Sequence, residues 1–79
     1  MTSEAEIREE NRKVRCLQVV VGLVMSTLRQ SELPVEEAAE LVAATRRFAL
    51  TLFPDKEDAY DLIYAPRFQR LLAEKYYIV

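Results

Sequence analysis

Between Ser3 and Leu33 the chain contains no proline and a single glycine, Gly22. Nothing in that run stops a helix, and a stretch of about thirty residues without a breaker excludes most sheet architectures. The 79 residues hold one glycine and three prolines in all. A many-stranded sheet needs turn residues about every 8–12 positions, so few, long helices are the expected solution. The expectation is a single all-α domain, a small helical bundle of three to four helices. Its long first helix lies antiparallel to the second, and two shorter helices are separated at Pro66.

The start of the first helix is signalled by Ser3 and Glu6, spaced as a capping box. Glu4, Glu6, Glu9 and Glu10 suit the positive pole of such a helix. The predicted span is about residues 3–30. At 100° per residue, Ile7, Val14, Leu17, Val20, Val21, Val24, Met25 and Leu28 fall in one arc. Val14, Leu17, Val21, Val24 and Leu28 form the expected seam with the second helix. Cys16, Val19 and Leu23 lie outside the arc, nearly opposite.

The second helix is expected from Pro34 or Val35 to about Phe53, with Pro34 in its first turn and Pro54 as its stop. Asp55 is a candidate N-cap for a third helix over about 56–64. Pro66 disfavours helical geometry at Ala65, so a break and a fourth helix at about 66–76 are expected. The apolar end, Tyr76–Val79, is expected to dock.

Length then creates a problem. A helix of this size is about 40 Å long, whereas a compact domain of this size has a radius of gyration near 11–12 Å. Residues 1–13 are therefore expected to project or fray. The second apolar face, Cys16, Val19 and Leu23, needs its own cover. Either the last two helices wrap round to it, or a second copy of the chain packs there. A homodimer built on the first helix is the preferred reading, because closed two-fold pairing is the commonest solution for such a surface.

Chemistry is sparse. The chain has no histidine, which removes the commonest general base and metal ligand. Cys16, the sole cysteine, has neither a histidine to activate it nor a second thiol to pair with, and suits a reducing cytoplasm. Gly22 alone cannot make a phosphate-binding loop. The carboxylates Glu36, Glu37 and Glu40, and Asp55, Glu57, Asp58 and Asp61, read as solvated helix faces; the second group lacks a calcium loop's alternating spacing and central glycine. No cofactor, metal or catalytic role is expected. The amino terminus lacks a signal peptide's apolar core, and the apolar run Leu17–Leu28 is shorter than the roughly 20 residues a bilayer needs.

Three sets of residues remain as sites. Arg46 projects inside the apolar arc of the second helix and is expected either to snorkel or to form a buried ion pair with Asp58 or Asp61. Tyr60, Tyr64, Arg67 and Phe68 read first as core and hydroxyl-tethered edge packing, with an edge for a protein partner as the sharper alternative. Arg8, Arg12, Lys13 and Arg15 are the basic cluster of the first helix. With a net charge of −2 there is no global pull toward nucleic acid, and the acids among them favour a salt-laced surface. The functional expectation is a non-catalytic interaction or assembly module that self-associates through helix 1. The alternative is a small nucleic-acid-associated regulator using the Arg12–Arg15 end of a dimer.

Overall fold

The computed structural model describes residues 3–76. They form four helices in order: α1 (Glu4–Gln30), α2 (Val35–Leu52), α3 (Glu57–Ile63) and α4 (Ala65–Tyr76). α1 runs antiparallel to α2, and α3 with α4 closes one side, the pair being joined and bent at Tyr64.

Local chemistry sets most boundaries. Ser3 caps α1, its Oγ accepting the Glu6 amide at 3.1 Å, which satisfies one donor left over at the helix start. Ser31 ends the helix with its amide on the Thr27 carbonyl. Pro34 stands one position outside α2, as the N-cap rather than the first helical residue, and its carbonyl accepts the Ala38 amide. Asp55 does not cap α3. It sits in the turn after Pro54, and Lys56 occupies the cap position without a side-chain bond.

The α3–α4 break falls at Tyr64, two residues before Pro66. Proline has no amide, so the carbonyl one turn earlier, on Leu62, loses its partner. The disruption therefore lies on the amino-terminal side of the proline. Ala65 and Pro66 belong to the first turn of α4, where a missing amide is harmless.

The core consists of Leu17, Val21 and Leu28 from α1, Ala38 and Ala49 from α2, Tyr60 from α3 and Phe68 from α4. Leu28 and Phe68 are completely enclosed. The small Ala38 and Ala49 let α2 approach α1 closely. Thr45, the one buried polar side chain among the described residues, donates to the Leu41 carbonyl at 2.8 Å, so its hydroxyl is satisfied within its own helix.

At the far end, Lys75 Nζ donates to the carbonyls of Leu28 and Ser31, and the Tyr76 hydroxyl donates to the Leu33 carbonyl at 2.7 Å. These bonds fasten α4 to the end of α1. Residues 77–79, included in the expected docking of the apolar end, lie outside the described residues.

The shape is long, with principal extents of 48 × 22 × 15 Å and a radius of gyration of 14.3 Å. α1 accounts for the length. Its first turns, through Arg12, are helical but solvent-exposed on every side.

Candidate functional site

Four surface features are candidates, and three of them involve α1. The first is its outer face. Val19 is 56% exposed and Leu23 63%, and Cys16 is exposed beside them. α3 and α4 pack on the other side of the bundle, leaving this face uncovered. Gly22 borders the same face, and nothing lies within 4 Å of where a Cβ would stand. No packing within the chain therefore calls for a glycine there.

The second feature is an apolar groove of about 200 Å³, lined by Val14, Leu17, Phe53, Tyr60, Ile63 and Tyr64 with Lys56 at its rim. Val14, expected in the α1–α2 seam, is instead exposed at the groove edge. The groove lies between α1, the end of α2 and α3, whose Tyr60 and Ile63 line it.

The third feature is the ion-pair network over α3. Arg46 donates from Nε to Asp61 Oδ1 at 2.9 Å and from Nη2 to Asp61 Oδ2 at 3.0 Å. It also reaches Glu57 Oε1 at 2.6 Å. The pairing with Asp61 agrees with the sequence expectation; the burial and Asp58 do not. Both side chains keep more than a third of their surface in water. Glu57, one turn before Asp61 on the same face of α3, takes the place expected for Asp58. The Arg46 hydrogen bonds hold the Asp61 carboxyl below the usual carboxylate range, and those to Asp61 and then Glu57 hold the guanidinium above its ordinary value. Beneath the pair, the Tyr60 hydroxyl is buried and makes no hydrogen bond to a described residue. Burial pushes the phenol pKa up, with Arg46 opposing that shift.

Of the aromatic set, Tyr60 and Phe68 follow the core-packing expectation and drop out of the alternative partner edge. Phe68 and Tyr60 belong to the core, because α4 turns its Phe68 side inward after the bend. Tyr64 and Arg67 remain at the surface or half-buried. The Tyr64 and Tyr60 rings pack 5.5 Å apart, and the Arg67 guanidinium lies over the Tyr64 ring at 5.9 Å, within cation–π range.

The fourth feature was not anticipated. Arg29 of α1 meets Arg67 and Arg70 of α4 around a pocket of about 270 Å³ that also contains Met25, Leu71 and Glu74. Arg29 and Arg67 are nearly forty residues apart, so no local pattern could signal the cluster.

In the first half of α1, Arg12 is paired with Glu9 at 2.9 Å, and that bond lowers the Glu9 pKa. Arg8 and Arg15 are exposed and Lys13 half-buried. Among the described residues no cluster of three or more acidic, histidine or cysteine side chains could hold a metal ion. No described helix is long and apolar enough to cross a membrane.

Comparison with protein-family models, with curated proteins and with solved structures found no match for this chain.

Proposed function

We propose that this chain is a small non-catalytic assembly module that self-associates through the outer face of α1. The observation that carries the reading is the exposure of Val19 and Leu23 at the middle of a long helix whose opposite side is already packed. Burying a Val or Leu fully is worth roughly 1.5–3 kcal/mol. Leaving two of them half-wet forgoes a sizeable share of a small domain's stability of about 5 kcal/mol.

The spacing of that face favours an antiparallel pair. Arg12, Cys16, Val19, Leu23, Ser26 and Gln30 follow the alternating four-and-three rhythm of a helix seam. That rhythm reads the same in both directions. A second copy laid antiparallel sets Val19 against Leu23, Cys16 against Ser26 and Arg12 against Gln30. A parallel copy would set Arg12 against Arg12 within the seam and Arg8 beside Lys13. In the antiparallel arrangement like charges meet only at the flank, where Arg15 approaches Arg29 and water screens them. The seam is about 27 Å long, which suits a weak, concentration-dependent contact rather than an obligate one.

Sedimentation equilibrium from tens to hundreds of micromolar tests the association, with dimer expected and Val19→Glu returning it to monomer. A monomer mass throughout overturns the reading. Cys16 tests the direction. Antiparallel copies keep the two Cys16 residues about 15 Å apart along the axis, too far for a disulfide. Oxidation of Ser26→Cys should instead cross-link Cys16 to the new thiol. A dimer that links Cys16 to Cys16 would retain self-association and refute the antiparallel register.

A further inference from the structure

The arginine cluster between α1 and α4 lies beside the self-association face, shares only Arg29 with its flank, and does not depend on the proposed self-association. Arg29, Arg67 and Arg70 are all exposed and surround one pocket of about 270 Å³. None forms an ion pair with a described residue; the same holds for Arg8 and Arg15 on α1, while Arg12, Arg46 and Arg47 are paired. The lining carries three guanidinium groups and a single acid, Glu74. The formal balance is two positive charges.

Two further details prepare the site. Arg67 rests over the Tyr64 ring, which restricts its orientation before any ligand arrives. Lys75, in the last turn of α4, is committed to the Leu28 and Ser31 carbonyls. It thereby neutralises the negative end of α1 next to the pocket, which would otherwise repel an anion.

Planar guanidinium donors match the paired oxygens of phosphate and carboxylate groups. A phosphate monoester carries about −1.5 to −2 at neutral pH, close to the charge the pocket lacks. Met25 and Leu71 supply half-buried apolar surface beside the arginines, where the organic part of an ester can rest. The volume is below the roughly 300–1,000 Å³ of drug-sized sites, so the ligand is small. We infer that the pocket formed by Arg29, Arg67 and Arg70 binds the dianionic group of a small phosphate monoester.

An NMR titration of the isotope-labelled full chain with phenyl phosphate, inorganic phosphate and phenyl sulfate at constant ionic strength tests this. Saturable shifts confined to Met25, Arg29 and the Arg67–Glu74 segment are expected, with phenyl phosphate tightest and the singly charged sulfate ester weakest. Arg67→Gln and Arg70→Gln should each weaken phenyl phosphate by about tenfold, the worth of one charge-assisted bond. Glu74→Gln should tighten it, and Arg8→Gln in the first half of α1 should leave it unchanged. Linear shifts spread over every arginine would show ionic screening alone and overturn the assignment. Equal binding of the phosphate and sulfate esters, or Arg70→Gln without effect, would overturn it too.

Discussion

Arg46 grips Asp61 with two parallel hydrogen bonds, 2.9 and 3.0 Å long, and so ties the middle of α2 to α3. Asp61 has a lowered folded-state pKa, so the unfolded chain takes up its proton first as the pH drops. The pair's contribution is present above the unfolded aspartate pKa of about 3.9 and is lost as the pH falls through the folded value. Arg46→Ala and Asp61→Asn should therefore both flatten the decline in stability below about pH 4, measured by urea unfolding across pH. Since the pair is wet, the neutral-pH loss should be small beside that of a core truncation.

Core truncations should behave differently. Leu28 and Phe68 are fully enclosed where α1 and α4 meet. Leu28→Ala is expected to cost about 2–5 kcal/mol and Phe68→Ala about 3–5 kcal/mol. Against a stability of about 5 kcal/mol, either should remove much of the folded state's margin, seen as a strongly lowered melting temperature by circular dichroism.

Tyr60→Phe should be neutral or stabilising. The hydroxyl is buried without a partner among the described residues, and an unsatisfied buried polar group costs roughly 1–3 kcal/mol. Removing the oxygen keeps the ring contacts with Tyr64. A loss of more than about 1 kcal/mol in denaturant unfolding would mean that the hydroxyl is hydrogen-bonded in solution.

Gly22→Ala should raise monomer stability. A Cβ there meets nothing within 4 Å, and alanine gains about 0.5–1 kcal/mol over glycine inside a helix. Thermal melts at low protein concentration measure this without the dimer. If the melting temperature falls instead, the open space beside Gly22 is filled in solution.

The proposed seam also predicts a salt response. Arg15 and Arg29 flank the antiparallel contact with like charge, so added salt should strengthen self-association modestly. Light scattering or sedimentation at two sodium chloride concentrations reads the sign. Weakening with salt would mean that opposite charges hold the copies together.

The elements were legible from local rules. The run from Ser3 to Leu33 without a breaker, the Ser3 cap, Pro34 and Pro54 placed α1 and α2 within a residue or two, because helix formation and capping depend on neighbours a turn away. The same periodicity separated Leu17, Val21 and Leu28 from Val19 and Leu23, since burial on a helix follows angle. What could not be read there is how each helix is rotated against the others. The bend at Tyr64 sets the phase of α4, which sends Phe68 into the core and leaves Arg67 outside. The phase of α3 gives Arg46 the carboxylates of Asp61 and Glu57 rather than Asp58. Packing of α4 on α1 brings Arg29 to Arg67 and Arg70, groups that no spacing in the chain relates. Rotation and contact between helices arise from the fit of many side chains at once, and that fit exists only in the folded molecule.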